Sequence, residues 1–191
     1  MPDTESLITC LSQFGLLNQQ QVDLVRSKVK TVILEKDEYF SEAGKIPKRV
    51  AFINTGILRV YSYNSNAKEV TKYFIDEGNF AVDLSSFTQK TPSSEYIQAV
   101  TKCSLLTFST EVLKELSIAI AAWDSIISQV TSKALIRKVN RISPMLSEDA
   151  TTRYLKFLEK YPNLANRIPL SYLASYLGIT QSSLSRIRKN I

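Results

Sequence analysis

Between residues 30 and 109 the chain breaks into six short runs of alternating or β-branched character, flanked on both sides by helical patterning. The runs are Lys30–Leu34, Arg49–Ile53, Gly56–Tyr63, Glu69–Ile75, Tyr96–Thr101 and Cys103–Ser109. Turn signals separate them at Glu42-Ala43-Gly44, Asn54-Thr55-Gly56, Asn64-Ser65-Asn66 and Asp76-Glu77-Gly78-Asn79. Strands spaced by about 8–12 residues pair antiparallel in a sandwich or barrel; a βαβ sheet needs a long crossover between parallel strands. In Ile57–Tyr63 the alternation places Leu58 and Val60 on one side and Arg59, Tyr61 and Tyr63 on the other.

Helical periodicity brackets this β region. Leu7, Ile8, Leu11 and Phe14 recur at 3–4 spacing, Gly15 interrupts, and Val22, Val25 and Val29 follow with Leu24. This predicts a helical cap over residues 5–28. Thr110 before Glu111 predicts a capped helix start. Ile120, Trp123, Ile127, Val130 and Ala134 then repeat at 3-4-3-4 spacing, less regularly through Leu135, Val139 and Ile142. That is the coiled-coil period over about two heptads. Such a stripe buries against its own domain or against a second copy. The small β region and the long helix favour a dimer seam, and Pro144 ends or kinks it. Ser147, followed by Glu148 and Asp149, predicts the next N-cap. The helix after it carries Tyr154, Leu155, Leu158 and Tyr161 on one face and ends at Pro162.

Composition excludes several functions. The 191 residues contain no histidine, so no Ser-His-Asp or Cys-His nucleophile and no His-ligated metal or haem can be built. The usual proton switch is missing as well. Two distant cysteines, Cys10 and Cys103, cannot supply the four thiolates of an iron–sulfur cluster and predict reduced thiols in a cytoplasmic protein. No apolar run approaches the ~18 residues of a membrane span, and the acidic N-terminus lacks the basic start of a signal peptide. No cofactor and no metal site is expected.

The net charge of +6 is unevenly placed. Residues 1–132 hold 13 basic and 15 acidic side chains, a net of −2, and residues 133–191 hold 11 and 3, a net of +8. After Glu159 there is no acid, but Lys160, Arg167, Arg186, Arg188 and Lys189 remain. A basic C-terminal third on a near-neutral body is the footprint of a polyanion-binding module.

The segment Ile168–Ile191, IPLSYLASYLGITQSSLSRIRKNI, explains that footprint. Leu170–Leu177 predicts a short helix with Leu173 and Leu177 inward and small Ala174 between them. Gly178 supplies a left-handed turn, and Thr180 caps a second helix, Gln181–Asn190, whose inward residues are Leu184 and Ile187. Two short helices joined by a tight glycine turn form a helix-turn-helix, whose second helix enters the major groove. Gln181, Ser182, Ser185 and Arg186 suit base edges: glutamine pairs with adenine and arginine with guanine. Arg188 and Lys189, with the hydroxyl and amides at Thr180, suit phosphates. The bland alternative is an αα-hairpin closing the chain.

Roll, long helix and helix-turn-helix together resemble the Crp/Fnr family of bacterial transcription regulators, particularly its short Bacteroidetes-type members. In the β region E-Y-F-S-E-A-G at 38–44, F-I-N-T-G at 52–56, I-L-R-V-Y at 57–61 and D-E-G-N-F at 76–80 carry the likeness. At the C-terminus L-A-S-Y-L-G-I-T-Q-S-S-L-S-R-I carries it. The resemblance implies an α+β chain: an antiparallel β-roll (a double-stranded β-helix, cyclic-nucleotide-binding-like) with an N-terminal helical cap, a long dimerisation helix and a C-terminal helix-turn-helix domain. Residues 1–117 would form the sensory roll, 118–146 the dimerisation helix and hinge, and 147–191 the DNA-binding domain. Trp123, Ile127, Val130 and Ala134 would line the dimer seam on a helix Ile118–Ile142.

Where cyclic-nucleotide binders of this family place glycine, glutamate and arginine, Val82, Asp83 and Ser93 stand; Ser94 fits the family's small hydroxyl residue. With no cation there and Glu95 close by, an anionic phosphate is unwelcome, and cyclic AMP is not expected to bind. An effector pocket at Val82, Asp83, Leu84, Ser85, Ser93, Ser94 and Tyr96 would take another small molecule, or the roll is merely structural. The sequence stops after the recognition helix, so the strand pair that forms a wing in longer relatives is not expected. The implied protein is a homodimeric, non-enzymatic transcription regulator in the cytoplasm, with double-stranded DNA, a second copy and RNA polymerase as partners. Its rivals are a cyclic-nucleotide-like sensor that signals to a protein without DNA, and a cupin-like enzyme that lacks the histidines it would need.

Overall fold

The computed structural model describes residues 3–139 and 148–191. Expectations involving Ile142, Pro144 and Ser147 lie outside the described residues.

Helices α1 (Glu5–Ser12) and α2 (Gln19–Lys28) form the N-terminal cap. Asn18 starts α2 with a reciprocal capping box: its side chain accepts from the Gln21 amide at 2.9 Å, and Gln21 Oε1 accepts from the Asn18 amide at 3.0 Å. Eight strands follow: β1 (Lys30–Leu34), β2 (Tyr39–Ser41), β3 (Arg49–Thr55), β4 (Leu58–Tyr63), β5 (Glu69–Ile75), β6 (Phe80–Ala81), β7 (Tyr96–Ala99) and β8 (Cys103–Ser109), with a short helix α3 (Leu84–Gln89) between β6 and β7. They make two four-stranded antiparallel sheets, ordered β1-β8-β3-β6 and β2-β7-β4-β5. Every expected strand is present. The two-residue β6, the three-residue β2 and α3 were not visible in the periodicity because each is too short to show a period.

Alternation sorts the side chains. Ala51, Ile53, Leu58, Val60, Ile97, Ala99 and Leu105 fill the space between the sheets. Phe52, Leu106 and Phe108 point the other way, from β3 and β8 onto α1, α2 and the helices that follow the roll. Gly56 makes the β3–β4 corner possible. Its φ is +100°, and a Cβ there would stand 2.5 Å from the Lys102 carbonyl oxygen and 2.6 Å from Cys103 Sγ.

Helix α4 (Thr110–Ala119) is capped by Ser109, whose hydroxyl accepts from the Val112 amide at 3.3 Å, so Thr110 is its first residue rather than its cap. The expected continuous helix from Ile118 is divided. α4 ends at Ala119, Ile120 leaves helical geometry, and α5 runs Trp123–Val139. The break turns both Ile120 and Trp123 into the core beneath the N-terminal helices. Trp123 is 2% exposed and its ring lies 6.3 Å from that of Phe108. Ile118, at the end of α4, is 88% exposed.

Helix α6 (Ala150–Lys160) begins at Asp149, whose Oδ1 accepts from the Thr151 and Thr152 amides at 2.9 and 3.1 Å. Tyr154 and Phe157 are its buried residues, while Leu155 faces outward. Phe157 takes the place expected of Leu155 because an inward face at Tyr154 continues at i+3 and i+4. Helices α7 (Leu170–Tyr176) and α8 (Gln181–Lys189) close the chain. Among the described residues no helix is long and apolar enough to cross a membrane.

Candidate nucleic-acid interface and effector cassette

The turn between α7 and α8 is a Schellman stop. The Ile179 amide donates to Ala174 O at 3.0 Å and the Gly178 amide to Ser175 O at 3.2 Å, with Gly178 at φ +68°. Thr180 then caps α8, its hydroxyl accepting from the Ser183 amide at 3.1 Å. That hydroxyl also meets Ser182 Oγ at 3.0 Å and Ser183 Oγ at 2.8 Å. Leu184 is fully buried against α7, Ile187 packs beside it, and both join a cluster with Leu173, Ala174 and Leu177. The opposite face of α8 is exposed. Thr180, Gln181, Ser182, Arg186, Arg188 and Lys189 are exposed and Ser185 is half-buried. One helix thus carries two hydrogen-bonding side chains near its N-terminus and three cations near its C-terminus, where they also suit the helix dipole.

The residues expected at the effector pocket divide into two groups. Asp83 and Ser93 come together: Asp83 Oδ2 accepts from Ser93 Oγ at 2.7 Å and from Ser86 Oγ at 2.8 Å. Asp83 also caps α3, its Oδ1 accepting from the Ser86 amide at 3.3 Å. Burial alone would raise the Asp83 pKa, but the hydrogen bonds from Ser93 and Ser86, aided by the charge of Lys138, hold it below its ordinary value. Ser93 is tied further: its hydroxyl accepts from the Glu95 amide at 3.0 Å, and Glu95 O lies 2.9 Å away as an alternative acceptor for its single proton. Val82 is half-buried, while Leu84, Ser85 and Ser94 face outward and take no part in this knot. Tyr96 lies on the far side of the sheet. Its neighbours Ile97 and Ala99 point inward, so alternation turns Tyr96 outward, where it stacks on Tyr61 at 5.0 Å.

Two cations that the sequence did not bring to this place stand around it. Lys72 pairs with the buried Glu95 at 2.7 Å, and Lys138 acts on Asp83 from α5. Ser86 and Lys72 escaped the sequence reading, and Glu95 was placed there only as a nearby charge. Only the Asp83-x-x-Ser86 spacing of an N-cap could have signalled the first of them. Among the described residues no group of three acids or thiols lies close enough to hold a metal ion.

A groove of about 420 Å³ opens between α3, α4 and α5, lined by Phe87, Leu113, Ile118, Trp123 and Ile127 among others. From it the surface of α5 runs past half-buried Val130 to exposed Ala134, Leu135, Ile136 and Val139. Of the residues expected at a dimer seam, Trp123 is withdrawn into its own core, Ile127 and Val130 are half-buried against it, and Ala134 is exposed.

Residues 31–118 match the cyclic nucleotide-binding domain family. No curated protein matches the sequence significantly. Solved structures match across the chain. FixK2 from Bradyrhizobium japonicum is 16% identical, with a TM-score of 0.74 over 85% of this chain and 83% of its own. The c-di-GMP-responsive global regulator CLP of Xanthomonas campestris is 16% identical, with a TM-score of 0.70 over 91% of both chains. A protein described as a Crp/Fnr-family transcriptional regulator from Eubacterium rectale is 16% identical, with a TM-score of 0.69 over 91% of this chain and 83% of its own. The roll is a cyclic-nucleotide-binding-type domain. The order of roll, helix and terminal helix pair is the fold that these solved structures share.

Proposed function

We propose that this chain is a DNA-binding transcription regulator of the Crp/Fnr type, acting in the cytoplasm as a homodimer that reads a pseudo-palindrome through α8. The observation that carries this reading is the exposed face of α8: Gln181, Ser182, Arg186, Arg188 and Lys189 are exposed on a helix anchored by buried Leu184. No acid opposes them anywhere from Lys160 to Ile191. Arg186 and Gln181 are assigned to base edges, Arg188, Lys189 and the Thr180 cap to phosphates. The exposed apolar residues late in α5, Ala134, Leu135, Ile136 and Val139, support pairing with a second copy. Two recognition helices would then meet half-sites about one helical turn apart. Partners beyond DNA and the second copy, RNA polymerase among them, follow from the likeness alone.

The cassette argues against a cyclic nucleotide as effector. A bound phosphate would have to lie beside the Asp83 carboxylate and draw on the Ser93 and Ser86 hydroxyls that already serve it. Selection of bound sites from random DNA tests the proposal. The expected result is one enriched two-fold motif, bound with an affinity that falls steeply with salt. Equal binding to all fragments, or none, would leave the second reading, a ligand sensor that signals to a protein partner.

A further inference from the structure

We infer that the roll itself sets the position of the recognition helix, through a three-point clamp on α7 centred on Arg59. The inference rests on the DNA-binding dimer proposed above.

The first point is Arg59. It projects from the outer face of β4, where a charged side chain would ordinarily be solvated, yet it is 1% exposed. Its guanidinium carbon lies 4.0 Å from the centre of the Tyr61 ring and 3.7 Å from that of Tyr172 on α7. Its Nη2 donates a hydrogen bond to Glu69 Oε2 at the start of β5. A planar cation held between two rings fixes the angle between them as well as their distance.

The second point is the free edge of β5, the last strand of its sheet. Ser175 of α7 closes that edge as a partner strand would. Its hydroxyl accepts from the Thr71 amide at 3.0 Å and donates to Glu69 O at 3.3 Å. The third point is Arg167, just before α7, which grips Glu77 with two hydrogen bonds of 2.6 and 3.1 Å. Glu77 in turn accepts from the Gly56 amide at 2.8 Å, so the grip reaches the β3–β4 corner. Between the three points Ile57, Phe74 and Val100 of the roll share one buried cluster with Phe157, Leu173 and Leu177.

Three contacts not in line leave α7 no freedom to rotate on the roll, and α8 is fixed to α7 by its own core. The roll therefore carries the base-reading face at a set place without a ligand. In the dimer this determines the distance between two recognition helices, which makes Arg59, Tyr172, Ser175 and Arg167 positioning residues for operator spacing.

The test measures binding of the full-length protein to a selected operator whose half-site spacing is altered by one or two base pairs either way. The wild type is expected to prefer one spacing by about tenfold or more, and Arg59→Ala, Ser175→Ala and Arg167→Gln to narrow that preference to about threefold, with single half-site binding unchanged. Ser175→Ala and Arg167→Gln change partly exposed side chains, so they decide the matter if Arg59→Ala does not fold. Variants that keep the wild-type spacing preference would overturn the clamp and leave the DNA-binding reading intact. A wild type that binds no operator would overturn that reading and the clamp with it.

Discussion

The guanidinium of Arg59 sits 3.7 Å from the ring of Tyr172, 113 positions later in the chain, and so joins a strand of the roll to the first helix of the terminal pair. The pair is also an energetic commitment. Burying the guanidinium this fully costs its hydration, which Glu69 and the two rings replace. Tyr172→Ala should therefore cost about 2–4 kcal/mol of stability, from the lost ring and the newly exposed partners. Tyr172→Phe should cost under about 1 kcal/mol, since the ring face remains. Urea unfolding of both variants measures the difference; equal losses would show that the hydroxyl, not the ring face, matters.

Gly56→Ala should be among the most damaging small substitutions in the roll. It forces a Cβ into a left-handed residue and against the Lys102 carbonyl and Cys103. A loss of about 2–4 kcal/mol is expected, with no gain from the stiffer unfolded chain. Gly78→Ala, also left-handed but with nothing within 4 Å of its Cβ, should cost less. Thermal melts of the two side by side check the ranking.

On α8, Arg186→Ala and Lys189→Ala should fail differently. The first should cost about 1–3 kcal/mol and relax one base position; the second should weaken all sequences alike and lower the salt slope by about one. Binding to the selected operator and to single-base variants across a salt series separates the two. A uniform loss for Arg186→Ala would move that residue from base to phosphate.

Acid should release α7 from the roll. Burial would raise the Glu77 pKa, but the hydrogen bonds from Arg167 and the Gly56 amide bring it below its ordinary 4.5. A carboxylate with a lowered folded-state pKa gives stability that is complete above its unfolded value and lost as pH falls through the folded one. The wild type should thus melt above Glu77→Gln at pH 7, and the gap should close as pH drops below about 4.5. A gap that persists under acid would assign the difference to packing.

Added cyclic AMP should leave the melting temperature within about 1 °C at millimolar ligand, because a molecule that does not bind the folded state cannot stabilise it. Asp83→Ala, which frees the Ser86 and Ser93 hydroxyls, is the variant in which a phosphate would first gain a foothold. A clear upward shift in the wild type would overturn the reading of the cassette.

The strands and the terminal helix pair were legible because each carries its own signal: alternation at Leu58 and Val60, and the Gly178–Thr180 stop and cap. What was not legible depends on distant residues. Alternation assigned Arg59 and Tyr61 to the outer face, and they do project from it, but Arg59 is covered by Tyr172 of α7 and Tyr61 by Arg59, Tyr63 and Tyr96, which no local period encodes. Of the heptad-like stripe, Ile120 and Trp123 turn into the chain's own core where the helix breaks, which no local period shows. In the cassette the substitutions at Asp83 and Ser93 could be seen, but not that the two bond to each other, nor that Lys72 and Lys138 stand beside them.

The Ser175 hydroxyl on the β5 edge has a consequence for how the chain can be divided. A sheet edge finished by a side chain from another part of the molecule is a half-made product without it. A roll expressed alone would offer Glu69 and Thr71 as an open rung, ready to recruit the same rung of a neighbour, so the terminal helices act as the roll's guard against its own kind.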